Sequence, residues 1–499
     1  MKQDFKILVK HFITYGIGVY LTKLIGFFMI PIYTAYLTPA DYGVLELLDL
    51  SMYVVGMFVG MGITNSIIRF YSDCETEDDK NSTISTAFFY VLIVSLCVNS
   101  LLIFFSSSIS QLIFHSGEST YSQEQLSFFV KIVATSGVMD ILAVVGTALL
   151  QAEKRSRLFT IISITRFTIS VSLNIIFIVG LGLGVAGVLY SQIISSFVAF
   201  ACMMFVLRRR LRPSISVARA KEMLKYGAPL VISTFSMFII HFSDRFFLER
   251  FSGLSVLGVY SLSYKFALIL PALFYGPFEM IWNTQMFDLY KKGEEGRRTI
   301  NYIHKYILVF SLLFITAYAL CVKDLIFIMA DPKFHEAYRV VPVLLLAFLF
   351  IGLASISSAG IFFVKKTLYR GLANIYGAAV ALAGYWFLIR LYGYWGAVIT
   401  TLLAFLVRYI ALSIYSQRFY RLEYSFLLYF RVAVATGTSY LAGSMISLDN
   451  NYLSLLARGA AGLILFMIMA LALKIFSRYE LDAFRSILKR GRRERTTAQ

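Results

Sequence analysis

Charge is scarce in this chain: of its 499 residues, 15% are Asp, Glu, Lys or Arg. A soluble globular protein carries about 25%, so a water-exposed surface along most of the chain is excluded. Segments of about ten residues with alternating polarity, the mark of a membrane-spanning barrel, are also missing. Cysteine is sparse and unpatterned. Cys97, Cys202 and Cys321 lie in apolar runs and Cys74 in a short polar stretch, which argues against a disulfide framework. Neither Cys-x-x-Cys nor His-Glu-x-x-His occurs, so no metal site and no cofactor is expected.

What the chain has instead is apolar sequence in long runs, with 59% hydrophobic residues. Phe88–Ile109 and Val340–Val364 carry no charge, and Leu158–Leu207 carries a single Arg. Each run reaches the roughly 20 residues that an α-helix needs to cross about 30 Å of hydrocarbon. The pattern predicts an all-α polytopic membrane protein of about fourteen transmembrane helices. His11–Leu37 reads as a retained first span, because it is too long for the apolar core of a cleaved signal peptide. Phe426–Ile446 and Leu453–Phe476 read as the last two. The connections are too short to hold a soluble domain.

The net charge of +18 follows the loops. Lys154-Arg155-Ser156-Arg157, Arg208 to Arg212, Lys291-Lys292, Lys365-Lys366, Arg418 with Arg421 and the tail around Lys489 alternate with loops nearly free of Lys and Arg. Roughly thirty basic residues fall on one side and about six on the other, the positive-inside pattern. This places both termini in the cytoplasm and argues against nucleic acid as a partner. The acidic run Asp73–Asp79 lies on the same side without opposing the rule, since carboxylates contribute little to it.

Three pairs of short motifs recur in order. Tyr15-Gly16 matches Tyr226-Gly227, Gly43-Val44 matches Gly258-Val259, and Gly184–Val188 matches Gly393–Ala397, at offsets between about 209 and 215 residues. Six spans per repeat preserve orientation, so the expected plan is two parallel-repeat six-helix lobes related by an axis along the membrane normal. The lobes are residues 1–210 and 211–420, and residues 421–499 add two helices and a basic tail. Two lobes around one site is the plan of an alternating-access transporter.

Ionisable groups inside spans cost about 2.5–3.5 kcal/mol each on insertion scales and call for a reason. Lys23 sits roughly 18 Å of helix from either end of its span. It therefore either faces a polar cavity or belongs to a structural ion pair. Arg245, next to Asp244, is either an anion-binding fork or a structural partner. Lys265, Arg166 and Arg69 complete the cationic candidates for substrate binding, although Arg69 also fits a snorkelling anchor. Asp140, Asp244, Glu46, Asp49 and Glu279 are candidates for a coupling ion or for ion pairs. Arg408, Arg431 and Lys474 read as snorkelling anchors, and His241 as a packed polar residue. Taken together, Lys23, Arg166, Arg245 and Lys265 predict a net cationic cavity suited to an anionic cargo.

Several stretches carry a family likeness. Tyr20-Leu-Thr-Lys-Leu-Ile-Gly26, Leu37-Thr-Pro39 with Asp41-Tyr42-Gly43, and Asp244 to Leu248 continuing through Leu257–Leu262 to Tyr264-Lys265 resemble the polysaccharide-biosynthesis flippases of the Wzx type. These belong to the multidrug/oligosaccharidyl-lipid/polysaccharide exporter superfamily. The resemblance implies a non-enzymatic flippase that moves a polyprenyl-diphosphate-linked oligosaccharide from the cytoplasmic to the outer leaflet of the inner (plasma) membrane. Membrane lipids, a polysaccharide polymerase and glycosyltransferases are the expected partners. A lipid II flippase and a cation-coupled drug antiporter of the same superfamily are the alternatives.

Overall fold

The structure, a computed structural model, describes residues 27–60, 62–115, 121–213, 215–446, 448–477 and 480. Every regular element among them is helical. In chain order these are α1 (Ile30–Tyr36), α2 (Pro39–Gly60), α3 (Ile63–Asp73), α4 (Glu77–Phe104), α5 (Ser106–Ile113), α6 (Gln123–Ala152) and α7 (Ser156–Asn174). They are followed by α8 (Gly184–Leu207), α9 (Val217–Phe242), α10 (Asp244–Ser252), α11 (Leu254–Ala267), α12 (Gly276–Lys291) and α13 (Glu294–Met329). The last are α14 (Val341–Ser357), α15 (Ala359–Phe363), α16 (Leu368–Tyr392), α17 (Tyr394–Gln417), α18 (Phe426–Ser444) and α19 (Asn451–Ala472).

Twelve helices among the described residues are long and apolar enough to cross a membrane. Of the fourteen expected crossings, the first lies mostly outside the described residues. The thirteenth forms as α18, but Arg431 and its Thr, Ser and Gly residues leave it less apolar than the twelve. Bulky side chains such as Phe104, 78% exposed, and Phe426, 85% exposed, would be costly in water and are at home against lipid tails.

The chain divides into two compact units. The first comprises Met1–Phe266, Met329–Leu344 and Thr367–Ala411, and the second Ala267–Ile328, Leu345–Lys366 and Leu412–Gln499. In the first unit α9 packs against α2, α3 and α4. At the centre of the first unit is α6, which touches α2, α3, α4, α5 and α8. Its start is fixed by a capping box in which the Ser122 hydroxyl and the Gln125 side chain each bond the other's backbone N–H. Thr38-Pro39-Ala40-Asp41 starts α2 in the same way. Asp41 N donates to Thr38 Oγ1 at 3.1 Å and Thr38 N to Asp41 Oδ2 at 2.9 Å, with Pro39 at the first helical position, where its missing N–H is not needed.

In the second unit α13 is the long axis. Asp324 on it takes two bonds from Arg458 Nη1, at 3.1 and 3.0 Å, and one from Ser454 Oγ at 3.1 Å. These bonds tie α19 to α13. Near the other end Lys305 Nζ donates to both oxygens of Glu480, at 2.8 and 2.7 Å, and the Tyr306 hydroxyl adds a bond at 2.9 Å. Burial pushes the Glu480 carboxyl up, but bonds from Lys305, Ser477 and Tyr306 outweigh that and hold its pKa below the ordinary glutamate value.

Three helices end alike in basic loops. Lys154, Lys365 and Lys474 have φ of 55°, 58° and 51°, the left-handed region usually left to glycine. The next N–H reaches back five residues in each case: Arg155 to Leu150 O, Lys366 to Ile361 O and Ile475 to Ala470 O. This is the Schellman closure, here with a lysine whose charge favours the carbonyl end of the helix.

Gly43 and Gly258, paired by the sequence repeat, meet at one crossing of α2 and α11. A methyl group on Gly258 would run into the Pro39 carbonyl, and one on Gly43 would stand 3.5 Å from Gly258 N. Gly258→Val is therefore expected to lower stability by about 1–3 kcal/mol through overpacking. Gly371→Ala, where nothing lies within 4 Å, should be neutral or gain about 0.5–1 kcal/mol. Thermal melting of the detergent-purified protein separates the two outcomes.

Candidate functional site

The site is built in the first unit around a break between α9 and α10. The Ser243 hydroxyl bonds back to Ile239 O at 2.7 Å, and the helix restarts at Asp244. The neighbours Asp244 and Arg245, 0% and 1% exposed, both turn into the protein there. Arg245 Nη1 donates to Asp244 Oδ1 at 2.6 Å and to the carbonyl of His241 at 2.7 Å. Tyr260 and Tyr264, one turn apart on α11, complete the cage. The Tyr260 hydroxyl donates to Asp244 Oδ2 at 2.5 Å, and the Arg245 guanidinium lies 3.8 Å from the centre of the Tyr264 ring, a cation–π contact in a dry setting. His241 Nδ1 is 3.2 Å from the Tyr264 hydroxyl, so the histidine is a packed polar residue, as expected.

From α2, Glu46 faces the same cluster, with Oε1 3.6 Å from Arg245 Nε and Oε2 4.0 Å from Lys265 Nζ. Lys265 donates to the Tyr42 hydroxyl at 2.8 Å and remains one-third exposed. One turn further along α2, Asp49 points into a cavity of about 560 Å³ whose walls come from α2, α3, α4, α6, α8 and α9. Gln192 Nε2 reaches Asp49 Oδ1 at 3.5 Å. Across the cavity, Asp140 on α6 pairs with Arg166 Nη2 on α7 at 2.7 Å, and that same nitrogen donates to Ser196 Oγ at 3.2 Å.

Seven of the candidates thus gather: Arg245, Lys265 and Arg166 with Asp244, Glu46, Asp49 and Asp140. Among the described residues three cations stand against four carboxylates, and the charged residues on the cavity wall itself are Asp49 and Asp140. Lys23, one of the four residues on which the expected cationic cavity rests, lies outside the described residues. The basic groups are near at hand, but each is turned onto a carboxylate or a tyrosine. Arg69, on α3, sits over the Tyr226 ring at 4.7 Å rather than in this cluster. Glu279 is on α12 in the second unit. Arg408 is no snorkelling anchor. It is 6% exposed and donates through Nε to Asn374 Oδ1 at 2.7 Å, while Asn374 Nδ2 donates to Ser233 Oγ at 3.0 Å.

Sequence reasoning passed over the tyrosines. Tyr42, Tyr260, Tyr264 and Tyr385, the last donating to Ile240 O at 3.0 Å, form the wall of the charged cluster. The four-residue spacing of Tyr260 and Tyr264 was the available signal. Among the described residues no group of three His, Cys, Asp or Glu side chains is placed to hold a metal ion.

The model of the family described as "Polysaccharide biosynthesis protein" matches residues 34–329. The chain belongs to that family. No match was found among curated proteins. Among solved structures, the lipid II flippase MurJ in an inward closed conformation superposes with a TM-score of 0.78 at 14% identity, covering 93% of this chain and 99% of that one. A multidrug resistance MATE family transporter of the MOP superfamily, inward-facing, gives 0.64 at 16% identity, covering 79% and 94%. A MOP superfamily transporter from Pyrococcus furiosus gives 0.52 at 16% identity, covering 81% and 93%. At these identities the likeness is one of fold. This member of the polysaccharide biosynthesis family is an all-α, multi-pass membrane protein with the MurJ and MATE fold.

The buried pair makes a direct stability prediction. Asp244→Ala leaves the Arg245 guanidinium without its closest counter-charge and should cost about 3–5 kcal/mol. Lys265→Met, at a partly exposed position, should cost under about 1 kcal/mol. Melting of the two purified variants against the parent checks the ranking.

Proposed function

We propose that this protein is an alternating-access flippase that moves a polyprenyl-diphosphate-linked oligosaccharide from the cytoplasmic to the outer leaflet of the inner membrane. Its two six-helix lobes are residues 1–210 and 211–420, residues 421–499 are an appended pair of helices and tail, and both termini are cytoplasmic. The observation that carries this reading is the match to a polysaccharide biosynthesis family in a chain made of membrane-crossing helices. A glycan assembled on a lipid on one side of a bilayer needs a carrier to reach the other.

The charges divide the labour. Arg245 and Asp244 are fully buried and serve as the fixed frame. Arg166 and Lys265 are partly exposed and bound less exclusively, so they are the groups that exchange partners. A diphosphate arriving near Arg166 competes with Asp140 for the guanidinium fork. The displaced Asp140 and the nearby Asp49 then take up a proton or a cation, which couples cargo to ion. Among the described residues the site's charges nearly cancel, so an anionic cargo is favoured only while its counter-ion is present.

One observation favours a second reading, a cation-coupled drug antiporter: among the described residues, the charged groups on the cavity wall are carboxylates. Proteoliposomes holding the purified protein decide between the two. Flipping of a fluorescent polyprenyl-diphosphate oligosaccharide is expected. Arg166→Ala and Lys265→Ala should each slow it by about tenfold or more, the worth of a charge-assisted hydrogen bond, at unchanged expression. Lipid II as a parallel cargo tests whether the glycan or the diphosphate is recognised. Transport of an organic cation with no movement of either lipid would overturn the flippase reading in favour of the antiporter.

A further inference from the structure

The acidic run Asp73–Asp79 belongs to none of the sequence motifs and lies outside the cavity, yet it is one of the most heavily bonded stretches in the first unit. It closes α3 and opens α4, where the Thr76 hydroxyl caps the helix by accepting from Asp79 N at 3.1 Å. Glu77, Asp78 and Asp79 fill the first turn, a favourable place for negative charge. The segment between α8 and α9 lies against this turn. The Arg210 guanidinium bonds Glu77 through Nη1, approaches Asn81 Oδ1 at 3.4 Å, and donates through Nη2 to Glu153 Oε1 at 2.9 Å, at the end of α6. The same Glu153 oxygen accepts from the Tyr71 hydroxyl of α3 at 2.9 Å. In the first turn of α9, Arg219 Nη1 donates to Asp79 O at 2.6 Å and to Thr83 Oγ1 at 2.8 Å, and its Nη2 pairs with Asp79 Oδ1 at 3.0 Å.

Backbone bonds extend the contact. Arg212 N donates to Ser85 Oγ at 2.8 Å, Ser216 N to Thr86 Oγ1 at 3.1 Å, and Ser66 Oγ to Met223 O at 2.8 Å. At Gly62, whose φ is +69°, an added methyl would stand 2.9 Å from the Gly227 Cα, so α3 and α9 touch backbone to backbone. Beyond this contact both helices continue into the cavity wall, α3 through Ile63, Thr64 and Asn65 and α9 through Val231 and Thr234. The bonded patch therefore ties α9 to α3 and α4, two helices whose continuations line the cavity.

We propose that the 73–79 turn is an electrostatic latch for the 208–219 segment, and that releasing Arg210 and Arg219 is the step that opens the cavity at this end. The chemistry suits a reversible device. The buried Arg245–Asp244 pair has no water to replace its bonds, whereas the arginines and carboxylates of the latch are partly exposed and exchange readily with water and salt. The inference does not depend on the identity of the cargo.

Electron-electron distance measurement on the full chain in nanodiscs tests it, with Cys74, Cys97, Cys202 and Cys321 changed to Ser and spin labels at Asp78→Cys and Lys221→Cys. A short-distance population should dominate in the parent. Raising salt from about 0.05 to about 0.5 M should enlarge a longer-distance population, and Arg219→Glu should enlarge it by about threefold or more, as expected for loss of a partly exposed ion pair. The charge swap Asp79→Arg with Arg219→Glu should return it towards the parent value. Glu75→Gln, which neutralises a carboxylate of the same run outside these bonds, should leave it unchanged. A distribution that responds to neither salt nor Arg219→Glu, that fails to recover in the swap, or that opens equally in Glu75→Gln would overturn the latch. Because the salt series uses the unaltered latch, poor folding of one variant does not remove the test.

Discussion

A guanidinium buried inside a membrane-spanning helix has no water to solvate it, and the neighbouring structure is arranged to meet that need. Arg245 finds a carboxylate on the adjacent residue, a carbonyl one turn back and an aromatic face on the next helix. Each partner imposes something on the chain. The adjacent carboxylate requires two neighbours that diverge by about 100° on the helix both to turn into the protein. The aromatic partners require tyrosines one turn apart on α11, and the close approach of that helix to α2 requires glycine at positions 43 and 258. Glu46 then extends the network onto α2, and the next turn of that helix carries Asp49 into the cavity.

The charges in this region fall into two kinds. Arg245 and Asp244 have no exposed surface, and separating them would strand both. Arg166, Lys265, Asp140 and Asp49 touch open space and hold one another more loosely. A site with this mixture can keep its shape while its occupants change, which a wholly buried network cannot do and a wholly solvated one would do without selectivity.

The sequence made much of this legible for one reason: charge in an apolar run is expensive, so each such residue stands out. Arg245, Asp244, Lys265, Glu46, Arg166, Asp140 and Asp49 stood out in that way and gather in one region. Their pairing was not legible, because Asp140 with Arg166 and Glu46 with Arg245 join residues far apart in the chain, and pairing determines which sign faces the cavity. Arg408 was misjudged because distance from a helix end says nothing about a neighbouring asparagine. The tyrosines were overlooked because aromatic residues are abundant throughout. The helices themselves were the easiest part, since their apolar length is set by the bilayer, and Gly43 and Gly258 lie where close helix contact tolerates little else.

The lysine-closed helix ends carry one further implication. At Lys154, Lys365 and Lys474 the backbone conformation would suit glycine better, so the side chain is retained at some cost in strain. On the proposed topology, each of these lysines would also add to the basic face by which the positive-inside rule orients a chain as it enters the bilayer. Replacing one by glycine would relax the turn while removing a charge that helps set the direction of insertion. In these three loops, the ease of folding and the fidelity of membrane insertion during synthesis depend on the same residue and favour different choices for it.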